Sequence, residues 1–437
     1  MLSLLLRQSK RRKLLALCLG IVLIAGSLQW RTALSQYRVH QAARLMDLGN
    51  QTEIQQALQL LRSAELLEER PSAALLFELG RAWRRGGDVE KGLEYLQRAE
   101  QSGYSTEEVR IQRQLAMIQR GHIDDSDAAL RMLISRSSSD KTAFEVYEAL
   151  SKGYLFSYRF QDAMQCLNFW LQWSPKNPDA LIWRASIFKQ TEKWEQAVDD
   201  YRQVLSNFPE NVEARQSLAS ILLLQLNQTE TAYKEFQECL KRAPSDVNSI
   251  LGAASCERRL GHPEEAEQRL TQLLKLSTPV TETSGVKAEL AEILIDRGET
   301  EKGVDLLKDV VHDDPRNSAA WYALGSGYVA LGEQDRATEC FKKSEELRKS
   351  FGRLTDITAA LIGEPKNIEL RWEAGKILMD NGMFTEGAAW MSTVLIYDPD
   401  HQSTHQALSE YYSTIKHDEP RAQYHRERAG NELKKKE

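Results

Sequence analysis

Residues Ser318 to Phe351 read SAAWYALGSGYVALGEQDRATECFKKSEELRKSF, and this stretch decides the fold. Trp321, Leu324 and Tyr328 stand at i, i+3 and i+7, on one face of a helix. Leu331-Gly332-Glu333-Gln334 reads as a turn, and Ala337 and Phe341 open a second helix. Gly325 and Ala337 are small, so the two helices can pack closely. Phe341 fills the wedge between them. A single hairpin of this kind cannot bury its apolar face, so the pattern implies neighbours of the same kind.

Those neighbours are found by following the small residue that opens each second helix. It recurs at Ala57, Gly92, Ala128, Ala163, Ala197, Ala232, Ala266, Gly303, Ala337, Gly387 and Ala422. Nine of the ten intervals lie within three residues of 34, which sets the period. Four residues after each comes a large apolar side chain, from Leu61 and Leu96 through Phe341 to Met391; Arg426 breaks the pattern in the last unit. Twelve residues before stands a small one in most units, among them Gly80, Ala185, Ala254, Gly325 and Gly375. Pro175, Pro209, Pro244, Pro279, Pro315 and Pro399 stop the second helices.

With these positions in hand, the chain resembles tetratricopeptide-repeat proteins across roughly residues 38–430. The resemblance implies an all-α fold: a right-handed superhelical solenoid of ten to eleven antiparallel helix pairs. The long interval of 50 marks an insertion at 352–367, expected as added helix that either extends the preceding one or stands alone. The expected layout is a basic tail at 1–13, a membrane segment at 14–30, a linker or first helix at 31–56, the solenoid at 57–351, the insertion, C-terminal units and cap at 368–430, and a basic tail at 431–437. No Pro/Gly/Ser-rich linker divides the body, so 352–367 is the only candidate boundary.

The membrane segment rests on residues Leu14 to Leu28, which are apolar and uncharged, behind Lys10-Arg11-Arg12-Lys13. Seventeen helical residues rise about 25 Å, borderline for a bilayer. The basic flank predicts a cytoplasmic N-terminus and a body across the membrane, which fits a bacterial inner-membrane protein with a periplasmic body. The alternatives are a cleaved signal peptide, after Ala25-Gly26-Ser27 or Ala33-Leu34-Ser35, and an organelle-membrane receptor of the same architecture.

Charge and chemistry narrow the function. Residues 1–45 hold eight Lys/Arg and no acid, leaving 49 basic against 63 acidic residues in the body. Such a body argues against nucleic acid as partner. Five cysteines show no CxxC pair and read as buried thiols. No catalytic motif or phosphate loop occurs, so the chain is expected not to be an enzyme and to need no cofactor. Paired acids such as Asp199-Asp200 read as solvated faces. The one weak metal or haem candidate is His401 with His405, next to Asp398 and Asp400; helix capping is the competing reading. Aromatic residues crowd between Phe144 and Phe208, where Tyr158, Trp173 and Trp183 hold no obvious packing position.

The resemblance further implies that first helices line a concave groove. Its register puts Phe77, Arg81, Arg84, Lys152, Ile182, Lys189, Arg258, Tyr322, Ser326, Trp372 and Lys376 on that face. No unit carries the Lys–Asn pair with which some members hold a terminal carboxylate. Apolar anchors mixed with basic residues suit a partner peptide or helix with acidic groups. The expected function is a membrane-tethered protein-interaction scaffold. The alternative is a secreted or peripheral protein that binds an envelope polymer through the aromatic region.

Overall fold

The computed structural model describes residues 29–47, 50–123, 140–275 and 280–430; the side chains of 140–142 and 280–282 are not described. Among the described residues there are twenty-one helices and no strand. The membrane segment expected at 14–30 lies outside them except for its last two residues, as do Cys18, Ala128 and Pro279. Among the described residues no helix is long and apolar enough to cross a membrane.

The chain divides into two compact units between Ser157 and Tyr158. The first holds α1 (29–47), α2 (Gln51–Glu65), α3 (Ala73–Arg85), α4 (Val89–Gln101), α5 (Thr106–Gln119) and α6 (Asp140–Phe156). The second holds α7 (Phe160–Trp173), α8 (Pro178–Gln190), α9 (Trp194–Asn207), α10 (Val212–Leu224), α11 (Thr229–Arg242), α12 (Val247–Arg259) and α13 (Pro263–Lys275). It continues with α14 (Val280–Asp296), α15 (Thr300–Asp313), α16 (Ser318–Ala330), α17 (Gln334–Gly363), α18 (Ile368–Asp380), α19 (Phe384–Tyr397), α20 (Gln402–Thr414) and α21 (Glu419–Ala429). The division falls at a two-residue turn without Pro or Gly, not in 352–367, through which α17 runs unbroken to Gly363.

The recurring small residue is the fourth of its helix in α4, α7, α9, α11, α13, α15, α17, α19 and α21. Its size is dictated by the approach of its partner's backbone. A Cβ on Gly92 would lie 2.9 Å from the Gly80 carbonyl oxygen, one on Gly303 2.8 Å from that of Ala291, and one on Gly387 3.0 Å from that of Gly375. The large residue four places on fills the space above the small residue of the first helix. Thus a Cβ on Gly325 would meet the Phe341 ring at 2.7 Å, and one on Gly80 would meet Leu96 at 2.7 Å. Leu61, Leu96, Leu167, Leu270 and Leu307 are accordingly fully buried.

Turns repeat as strictly. Five residues before the small residue the backbone is left-handed in nine hairpins. Glycine serves at Gly87, Gly261, Gly298, Gly332 and Gly382, whereas Tyr158, Glu192, Asn227 and His417 adopt it at φ of 51–56°. The Glu333 N–H then reaches back to the Tyr328 carbonyl at 2.8 Å and closes the helix end. Where a second helix meets its proline, a cap follows two residues later. Asn177, Asn211, Asp246, Asn317 and Asn367 each accept the N–H three residues on.

The inserted residues have a clear packing role. With no proline to stop it, α17 continues for 30 residues, a length of about 45 Å. Its added turns bring Leu354, Ile357 and Leu361 into a cluster with Ala374, Leu378, Trp390 and Tyr158. The Tyr158 ring stacks on Trp390 with centroids 3.6 Å apart. The second unit is therefore tied between the turn that opens it and its α18–α19 hairpin. Tyr158 is also one of the four non-glycine residues in the left-handed region, a conformation that costs about 1–2 kcal/mol; the stack and its burial offset this.

The four positions make opposite demands. Glu192→Gly should raise stability by ~1 kcal/mol, because Glu192 is exposed and only the strain is removed. Tyr158→Gly should lower it, because the stack and apolar burial are lost with the strain. Urea midpoints of the two variants moving in the same direction would contradict this account.

Candidate functional site

In the first unit the expected groove residues are held inside. Phe77 is buried and its ring stacks on Tyr104, 4.2 Å between centroids. Arg81, Arg84 and Arg85 of α3 are 2%, 0% and 0% exposed. Their partners come from α6. Glu145 receives Arg81 Nε at 2.7 Å and Arg84 Nη2 at 2.8 Å; Glu148 receives Arg85 Nε at 2.7 Å and Lys152 Nζ at 2.7 Å. Gln112 of α5 accepts from Arg84 Nε and donates to Glu145, both at 2.8 Å.

Burial alone would raise the Glu145 pKa, yet Arg81, Arg84 and Arg85 hold it well below the usual carboxylate range. Burial draws Arg84 down to about 10. Removing one partner of such a cage strands a buried charge, at a cost of about 3–5 kcal/mol. Phe77, Arg81, Arg84 and Lys152 therefore act in packing, which corrects the expectation that they face a ligand. The cause is that α3 and α6 place complementary charges against one another. Repeat register gave no signal of this: Arg81, Arg84 and Arg85 correspond to Lys152, Leu155 and Phe156, and Glu145 and Glu148 correspond to Ala74 and Phe77.

In the second unit successive first helices touch: α10 meets α12, α12 meets α14, and α14 meets α16. Their common face is open. Tyr322 is 62% exposed and Val329 46%, with Ser326 exposed between them. The Tyr322 ring leans on Phe341, centroids 5.3 Å apart. Leu224 of α10 is 61% exposed. Ile182, Lys189 and Arg258 are half-buried, and Lys376 is exposed and paired with Asp380 of its own helix at 3.0 Å. Trp372 is half-buried against the cluster of Ala388, Met391, Leu408 and Tyr411, so it serves packing as well as surface. The structure thus leaves Tyr322, Ser326 and Lys376 most accessible of the expected residues.

Of the aromatic-rich stretch, Phe144, Phe160, Trp170 and Tyr201 are core and most of the rest are half-buried. Trp170 is fully buried and lies 5.5 Å from Trp183 between centroids, while Phe169 and Trp173 stay 48% and 40% exposed. A cleft of about 440 Å³ opens beside them, lined by Phe160, Met164, Phe169, Ile187 and Ile362 together with glutamines 161 and 165. Cys166, Cys239, Cys256 and Cys340 are buried and in no disulfide, and burial pushes Cys256 up to about 12.

His401 and His405 do not form a ligand pair. His401 takes the capping place that Asn317 and Asn367 hold elsewhere, its Nδ1 accepting the Thr404 N–H at 3.3 Å. His405 is 1% exposed and points inward. Its Nε2 donates to the Pro399 carbonyl at 2.8 Å, so its Nδ1 must accept, at 2.8 Å, from Nδ1 of His425. Among the described residues no three His, Cys, Asp or Glu side chains are grouped to hold a metal.

Burial, with His405, Arg428 and Arg421 adding to it, pulls the His425 pKa down to about 4. An unfolded histidine titrates near 6.5, so between those values the unfolded state binds the extra proton. Stability of the terminal hairpin should therefore fall as pH drops from about 6.5 toward 4. Amide exchange of residues 402–429, corrected for intrinsic rate, should speed up from pH 7 to pH 5 more than in His425→Gln. Equal pH dependence in both proteins would contradict the pairing.

The repeat geometry has counterparts elsewhere. A sequence model described as tetratricopeptide repeat matches residues 31–105, 182–247 and 288–348. DnaJ homolog subfamily C member 3 of Mus musculus is 22% identical over 275 residues, covering 58% of this chain and 52% of that one. The chain spans about half the length of the curated relatives it matches. Among solved structures, a tetratricopeptide repeat protein from Parabacteroides merdae shares 19% identity at a TM-score of 0.44, over 68% of this chain and 99% of that one. PilW, a widely conserved type IV pilus biogenesis factor, shares 21% at 0.41, over 49% and 100%. With its repeated hairpins and the three matched segments, the chain is similar to tetratricopeptide-repeat proteins, an all-α array of the kind that suggests a protein-interaction scaffold.

Proposed function

We propose that this protein is a membrane-tethered scaffold whose second unit offers the first-helix face of α10 to α18 to a peptide or helix of a protein partner. The observation that carries this reading is the open face at Tyr322, Ser326 and Val329. Large apolar groups stand exposed there in a register where the other side of each helix is packed core. Aromatic anchors of this kind dominate binding energy at protein interfaces. The tether is read from residues 14–28 and the basic run before them. It places the N-terminus in the cytoplasm and the repeats across a bacterial inner membrane, where anchoring would raise their effective concentration for membrane partners. No catalytic role is proposed.

The test is affinity purification of the full chain from its native membrane. Tyr322→Ala should lose a specific protein partner that the wild type and Phe384→Ala retain, since Phe384 is similarly exposed but opens a second helix. Retention of every captured protein by Tyr322→Ala would refute the assignment of the face.

A further inference from the structure

The basic residues that point, in the sequence, to an acidic partner are mostly neutralised in the structure. Arg81, Arg84 and Lys152 belong to the buried cage, and Lys376 is paired with Asp380. Lys189 of α8 and Arg258 of α12 remain, and α14 encloses Arg258. Its guanidinium lies 2.6 Å from Glu289, 2.6 Å from Glu292 and 3.9 Å from Asp296. Three carboxylates thus surround one cation. Neighbouring Arg259 turns its guanidinium to the Leu223 carbonyl at 3.2 Å, so acids still outnumber bases here. The Glu292 and Asp296 side chains are 45% and 70% exposed, accessible to a second cation. Burial foremost, then Glu289 and Asp296, raise the Glu292 carboxyl above its usual range against the pull of Arg258 and Arg259.

The adjacent first helix carries the opposite character. On α16, Tyr322 and Val329 are exposed and no charged residue occurs between Ser318 and Ala330. Packed helices lie about 8–10 Å apart, which sets the distance from the apolar surface to the carboxylates. An extended chain covers it in about three residues, a helix in about two turns.

Resting on the proposed face, we propose that the α14–α16 stretch recognises a partner segment carrying an apolar anchor and a Lys or Arg, the anchor on Tyr322 and Val329 and the cation between Glu292 and Asp296. The partner is basic where the sequence suggested acidic. Charge complementarity decides between them: a carboxylate brought to this site would face three others and find Arg258 and Arg259 already engaged.

The probes are labelled synthetic 15-residue peptides with a Leu or Phe anchor and Arg three or seven residues away, and the same peptides with Glu in place of Arg. Fluorescence anisotropy with the full chain should show the Arg peptides binding at least tenfold tighter, weakening as salt rises. Glu292→Gln/Asp296→Asn should remove most of that preference without changing helicity by circular dichroism. Equal or tighter binding of the Glu peptides, or an unchanged preference in the neutralised variant, would overturn the inference. Should neither set bind while the captured partner still depends on Tyr322, the inference fails and the proposed function stands. Should that dependence fail too, both are overturned.

Discussion

The close approach of two backbones within each hairpin is the constraint on which the rest depends. At Gly92, Gly303 and Gly387 a methyl group would already press on a carbonyl oxygen of the partner helix. This contact fixes how the second helix lies against the first, and the large residue four places on fills what space remains. The left-handed turn five residues earlier delivers the chain to it. Once every hairpin has one geometry, the opposite faces of the first helices align, and their side chains are free to differ. Packing thus leaves a surface on which recognition can be written.

Two departures from the repeat show what that regularity permits. The extension of α17 carries Leu354, Ile357 and Leu361 to Tyr158 and Trp390, residues far apart in sequence. A stack formed there holds a tyrosine in a backbone conformation that glycine fills in five other hairpins. In the first unit, three consecutive-face arginines are buried against two glutamates. Buried ion pairs of this sort seldom add stability over apolar packing, but they penalise any register that leaves one charge alone. They suit a fold in which every repeat could otherwise slide by one unit.

Much of the fold was legible because its determinants are local. The small residue, the proline and the Asn or Asp cap recur within one period, so Asn317 or Gly325 can be understood from neighbours in the sequence. At the last such turn the cap was expected from an aspartate, and His401 takes that place. What could not be read depends on distance. Nothing near Tyr158 announces Trp390, and nothing near His405 announces His425 as its hydrogen-bond partner. The face was assigned from repeat register, and Tyr322, Ser326 and Lys376 are exposed. It was wrong at Arg81 and Arg84, because register says where a side chain stands and not which opposite charge will reach it.

The functional account comes down to whether partners meet the first-helix face of the second unit. Site-specific photo-crosslinking in native membranes tests this most directly, with the photoreactive residue placed in turn at 322 and 329 on α16 and at 339 on the exposed side of α17. The account predicts a discrete protein adduct from 322 and 329 and none from 339. Adducts from 339 alone, or equally from all three positions, would contradict it.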